Sequence, residues 1–110
     1  MFPWRATAPT TTNKLACWNW VNDNLTCPVG SYPAGDTRKK LHDMAGNLWE
    51  WIGSFWTNDY NTTSALGTAR VVRGGSWTTD TVNFLRGAFR YSCDPMARHY
   101  AIGFRCAKTP

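Results

Sequence analysis

Nowhere along the chain do apolar residues recur at helical spacing for long enough to build a long amphipathic helix, so the fold must rest on short elements and loops. What the chain has instead is aromatic surface. Phe, Trp and Tyr make up 15% of its 110 residues, with seven Trp, inside a hydrophobic fraction of 43%. That is apolar material for one core, and the length points to one domain over residues 1–110. No apolar run approaches the roughly 18 residues of a membrane span, so membrane insertion is not expected. Met1–Arg5 lacks the basic-then-apolar pattern of a signal peptide.

The net charge of +5 raises the question of nucleic acid, and the distribution of charge answers it. Arg38, Lys39 and Lys40 form the one basic cluster, while Arg70, Arg73, Arg86, Arg90, Arg98 and Arg105 stand singly among apolar and Gly residues. Single arginines in apolar segments are better read as partners of carboxylates or backbone carbonyls, which satisfy the guanidinium fork. No nucleic-acid partner is expected.

Cys17, Cys27, Cys93 and Cys106 have neither C-x-x-C spacing nor a nearby His pair, which leaves a zinc site without support. Cys17 and Cys27 either close a short loop or remain buried thiols. His42 and His99 are isolated from one another in sequence and make no triad.

Residues 1–37, rich in Thr, Asn, Pro and Gly with scattered Trp, read as irregular structure pinned by aromatics, with a loop at 9–13. A strand is predicted over 47–52, after the Ala45-Gly46 turn, with Trp49 and Trp51 on one face. Residues 57–69 read as a loop, 69–73 as a strand stopped by Gly74-Gly75, and 101–106 as a last strand. Residues 82–90 have the composition of one or two helical turns.

Several segments in order resemble the formylglycine-generating-enzyme (sulfatase-modifying factor) domain family. They are Pro28-Val29-Gly30-Ser31-Tyr32-Pro33, His42-Asp43-Met44-Ala45-Gly46-Asn47-Leu48-Trp49-Glu50-Trp51, Arg70-Val71-Val72-Arg73-Gly74-Gly75-Ser76-Trp77 and Ile102-Gly103-Phe104-Arg105-Cys106-Ala107. Phe2-Pro3-Trp4 resembles a family segment that lies well inside the domain in longer members, so the family's N-terminal part is expected to be missing. The resemblance implies an α+β, C-type-lectin-like fold: a twisted antiparallel sheet with long irregular loops and little helix.

Oxidase members of this family hold copper with a cysteine pair after the Gly-Gly-Ser-aromatic motif, as suits soft thiolates. At those positions this sequence has Thr79 and Phe84, neither of which can ligate copper, so no catalytic residues and no required cofactor are expected. The family resemblance also implies a structural Ca²⁺ site at Asp43, Gly46, Leu48 and Glu50, with hard oxygen donors around a Gly-containing turn. The competing reading makes Asp43 a turn cap and Glu50, the one glutamate in the chain, the partner of an arginine.

Residues 78–101 resemble the variable region of diversity-generating retroelement proteins, a branch with the same lectin-like domain. There, error-prone copying at template adenines turns Asn codons into others that never encode Trp, Met, Lys, Gln or Glu. Between framework residues that fit the pattern stand Thr78, Thr79, Asp80, Val82, Asn83, Phe89, Tyr91, Ser92, Cys93, Asp94, Ala97, His99, Tyr100 and Ala101, all reachable in this way. Met96 departs from it and must be a fixed position. The set has the chemistry of a paratope, rigid aromatics beside small adaptable polar groups. The expected function is noncatalytic binding of a protein or glycan ligand on a target surface, from a phage tail tip or cell surface, with room for a homo-oligomer. The alternative is a degenerate or partner-completed member of the enzyme family with structural calcium. Arg73, Arg86 and Arg105 are expected to brace the loops through backbone carbonyls.

Overall fold

The structure, a computed structural model, describes residues 1–60 and 67–108; residues 61–66 of the predicted 57–69 loop lie outside this set. Strands β1 (Trp49–Phe55), β2 (Arg70–Arg73), β3 (Tyr91–Cys93) and β4 (Ile102–Gly103) form one sheet in the order β3-β2-β1-β4. β1 pairs antiparallel with β2 through Glu50↔Arg73 and Trp51↔Val72, and its register shifts before Phe55↔Arg70. β2 pairs antiparallel with β3, Val72 opposite Tyr91. β4 pairs parallel with β1, so the sheet is mixed, with the predicted antiparallel arrangement in β1 to β3.

Side chains alternate across a strand and directly paired residues share a face. Trp49, Trp51, Val72 and Tyr91 therefore stand on one face, and Glu50, Ile52, Val71 and Arg73 on the other. The predicted strands at 47–52 and 69–73 match β1 and β2 closely. The last strand is much shorter than predicted, because the chain beyond Gly103 leaves the sheet and Arg105 turns back onto Glu50. Of the helical turns predicted over 82–90, one 3₁₀ turn forms at Val82–Leu85. A second 3₁₀ turn covers Pro33–Gly35.

Apart from Val71 and Val72 in β2 and Ala101 before β4, the buried apolar residues fall into two clusters. Phe2, Ala16, Trp18, Ala45 and Leu85 make one, with Trp4 and Val82 against it. Cys17, Cys27 and Trp77 make the other, with Val21, Tyr32 and Leu48. Cys17 and Cys27 are joined in a disulfide, which settles the alternative left open by the sequence. The cross-link closes a short loop and stabilises chiefly by restricting the unfolded chain.

The turn before β1 locks this loop to the sheet. Gly46 sits at φ +81°, and a Cβ there would lie 2.4 Å from the Cys17 carbonyl oxygen, so only glycine permits the approach. Asn47, at φ 62°, is of a type that tolerates the left-handed region. Its buried amide accepts from the Cys27 N–H at 3.1 Å and donates to the Cys27 carbonyl at 3.1 Å. Its backbone N–H donates to the Cys17 carbonyl at 2.7 Å. Asn47→Ala would strand the Cys27 N–H and C=O in the interior, at about 1–3 kcal/mol for an unsatisfied group. Thermal unfolding of the variant should show a loss of that order or somewhat more, and Asn47→Asp, which buries a carboxylate against the Cys27 carbonyl, should be destabilised as well.

Candidate ligand-binding surface

The predicted surface residues divide into those the fold presents and those it uses as framework. Phe89 and Tyr91 are presented together. Their rings meet Trp49 at centroid distances of 6.1 and 5.8 Å, and Phe84 joins them, 4.6 Å from Phe89 and 6.1 Å from Trp49. Tyr91 is 54% exposed, while Trp49, Phe84 and Phe89 are half-buried. The result is an aromatic platform with a wet rim, apolar contact area that is already ordered. Asn83 lies beside it, exposed, in a shallow pocket shared with Arg86, Ala88 and Phe89.

A second presented group lies on the segment 94–101. β3 runs parallel to β1, and so does β4, so this segment must pass from the far edge of the sheet across β2 and β1. Asp94 turns it: its carboxylate accepts the Met96 N–H at 2.8 Å and its carbonyl the Ala97 N–H at 2.9 Å. Tyr100 is 70% exposed; its ring stacks on His99 at 4.4 Å and tilts over Trp77 at 5.8 Å. His99 Nδ1 accepts the Ala101 N–H at 3.1 Å, which fixes the ring. Asp80 and Ala97 are also exposed, and Thr78, Ser92 and Cys93 are half-buried.

Thr79, Ala101 and Val82 are corrections to the predicted surface. Thr79 is 5% exposed: its Oγ1 accepts the Ser76 N–H at 2.9 Å and its carbonyl the Asn19 N–H at 2.8 Å, so it closes the turn after the Gly-Gly motif. Ala101 is 1% exposed and accepts the Trp49 N–H at 2.9 Å, because it leads directly into β4. Val82 packs against the first core cluster. Trp49 and Phe84, in turn, belong to the aromatic platform although the sequence reading held them outside the surface. The sequence signal was only that Trp49 shares a face with Trp51; that this is the Tyr91 face follows from the β2–β3 pairing.

Arginines brace the loops as expected, with some exchange of members. Arg73 donates to the Gly87 carbonyl, Arg70 to the Gly53 carbonyl at 2.9 Å and Arg90 to the Thr57 carbonyl at 2.9 Å. Arg90 also lies 3.8 Å from the Tyr60 ring centroid and 4.9 Å from that of Trp56. Arg86 does not follow the pattern; its guanidinium lies 5.7 Å from the Phe2 ring centroid.

Asp43 and Glu50 line one pocket of about 290 Å³ with Asn47, Leu48 and Arg105. Arg105 holds both sides of it. It donates to Glu50 Oε1 at 2.7 Å and, through Nε, to both carboxylate oxygens at 3.0 Å, and reaches the Asp43 carbonyl at 3.4 Å. These bonds, with the nearby Asp43 charge, raise the Arg105 pKa above its ordinary value and hold the cation in place. The Asp43 carboxylate accepts the Gly30 N–H at 2.9 Å. Arg105 thus ties the Glu50 carboxylate to the Asp43 carbonyl, while the Asp43 carboxylate serves the Gly30 N–H. Among the described residues no group of three or more His, Cys, Asp and Glu side chains could hold a metal ion.

Sheet, loops and presented aromatics together define a small domain of C-type-lectin-like fold. Variable protein 1 of Treponema denticola superimposes with a TM-score of 0.73 over 83% of this chain and 34% of its own, at 24% identity, a likeness of fold. PvdO from Pseudomonas aeruginosa does so with a TM-score of 0.75 over 94% of this chain and 42% of its own, at 28% identity. The sequence profile of the sulfatase-modifying factor enzyme 1-like domain matches residues 1–110, and the chain belongs to that family. Among curated relatives, the serine/threonine-protein kinase Pkn1 of Chlamydia trachomatis is 40% identical over 93 residues, which is 76% of this chain and 15% of the kinase. The formylglycine-generating enzyme of Thermomonospora curvata is 34% identical over 99 residues, 77% of this chain and 32% of the enzyme. The chain thus spans a third or less of the length of these relatives.

Proposed function

We propose that this domain is a noncatalytic ligand-binding module, displayed on a virion or cell surface, whose 78–101 region carries the variable contact residues as in diversity-generating retroelement proteins. The observation that carries the reading is the pair of exposed tyrosines, Tyr91 and Tyr100, each resting on an anchored tryptophan, Trp49 and Trp77. Rigid amphipathic rings, with the exposed or half-buried polar residues Asp80, Asn83, Ser92, Asp94 and His99 in the same stretch of sequence, suit recognition of a protein or glycan surface. Chemistry at the oxidase position has no support: Thr79 spends its hydroxyl on the Ser76 N–H, and Phe84 is part of the ring cluster.

Sequencing the gene and its flanks across the source population tests this directly. Differences confined to codons of presented residues, where a nearby repeat has adenine, are the expected result, with codons 79 and 101 drifting less because their side chains are buried. A fixed 78–101 region with no repeat and no reverse-transcriptase gene nearby would remove the diversified reading and leave a conventional family domain.

A further inference from the structure

Beside Tyr100 the surface carries another exposed ring, one that lies outside the 78–101 region. Trp20 is 44% exposed and meets Trp77 edge-on at 4.9 Å, while Tyr100 leans on the same Trp77 at 5.8 Å. The two exposed rings are therefore no more than one indole apart. Trp20 belongs to the loop 17–27, which the disulfide closes. Its backbone stands at φ +59°, a left-handed conformation that a bulky residue rarely adopts and that Asn or Asp takes more readily. Neighbouring bonds hold it there: the Asn19 N–H donates to the Thr79 carbonyl at 2.8 Å and the Trp20 N–H to the Trp77 carbonyl at 2.9 Å. A strained residue kept in place by its surroundings, with an exposed indole as the result, is the kind of feature that gathers at ligand contacts.

The groups around the two rings define what they can hold. Asp23 and Asn24 are exposed, and Asn19 and Asn22 are half-buried. Amides and carboxylates accept from hydroxyls, and amides donate to them as well. Charge narrows the choice further. In a chain at +5, the stretches 19–26, 77–81 and 94–101 that carry the patch bring Asp23, Asp80 and Asp94 against Arg98. A polyanion finds no complementary charge here. An uncharged ligand with flat apolar faces and many hydroxyls does fit, since the C–H face of a sugar ring covers an exposed aromatic ring while its hydroxyls meet the amides.

We infer that Trp20 is a fixed contact residue of the binding surface and that, together with Tyr100, it holds a neutral saccharide. The inference rests on the proposed reading of Tyr100 as a displayed contact, and it narrows the ligand of that contact to a glycan. In this site the constant ring comes from the disulfide loop and the variable one from the segment 94–101.

The test is an array of neutral oligosaccharides of mannose, glucose, galactose and N-acetylglucosamine probed with this chain, followed by calorimetric titration of the strongest binder. Trp20→Asn and Tyr100→Ala should each weaken that binding about tenfold or more. Added salt should leave it unchanged, because the ligand is uncharged. Asn suits the left-handed backbone, so Trp20→Asn should fold, which its melting curve checks. Trp20→Tyr keeps a ring at the same place and should bind within about threefold of the parent. Full binding by Trp20→Asn with loss in Tyr100→Ala would overturn the inference and leave the display reading standing. Full binding by Tyr100→Ala would overturn both. A silent array, with binding found instead to a protein ligand that Tyr100→Ala abolishes, would overturn the glycan assignment alone.

Discussion

Gly35→Ala is expected to leave little folded protein, whereas Gly53→Ala should fold as well as the parent or better. A Cβ on Gly35 would lie 1.7 Å from the Leu15 carbonyl oxygen and 2.7 Å from its carbon, a collision with backbone that no rotamer relieves. Overpacking of side chains costs about 1–3 kcal/mol, and a backbone collision in a buried turn belongs at or beyond that upper end. Small domains hold about 5–15 kcal/mol in all. At Gly53, in β1, nothing lies within 4 Å of the added methyl. Circular dichroism melts of the two variants check this. A Gly35→Ala protein melting within a few degrees of the parent would mean that the contact between residues 15 and 35 is not a fixed element of the fold.

The second large effect separates framework from display. Trp77→Ala should lower stability by about 3–5 kcal/mol, because its ring packs with the Cys17–Cys27 disulfide and meets Trp20 edge-on at 4.9 Å. Tyr91→Ala and Tyr100→Ala, which remove mostly wet surface, should shift the melting temperature little. Once a ligand is in hand, each tyrosine variant should lose most of the affinity, as aromatic anchors do at interfaces. Equal destabilisation by all three changes would sink the display assignment, since it would make the tyrosines core residues.

The elements legible in the sequence were those that local chemistry decides. β1 and β2 follow from β-branched and aromatic runs stopped by glycine, and the loop-bracing arginines from their solitary placement in apolar segments. β3 was not legible, because Tyr91–Cys93 is short and pairs only through a partner distant in sequence. β4 was legible as a strand, though longer than it forms, but its parallel pairing with β1 has no local signature. At the site, exposure was the unreadable quantity. Thr79 and Asp80 are adjacent and both polar, yet one closes a turn with its hydroxyl and the other faces water. Glu50 illustrates the reverse case, in which scarcity was informative: the one glutamate of the chain meets Arg105 as the ion-pair reading expected.

The parallel closing strand sets what lengths the segment 94–101 tolerates. Both ends of 94–101 are tied into the sheet, one by β3 and one by β4. To get from one tie to the other the backbone must clear the intervening strands, each about 4.8 Å wide, with a reach of at most about 3.3–3.6 Å per residue. Shortening the span soon makes it a taut cord that pulls a strand out of register. Lengthening it is cheap, at about 0.6 kcal/mol for each doubling of a flexible loop. A library built on this scaffold can therefore grow in this segment but hardly shrink, and its diversity lies in added residues as much as in exchanged ones.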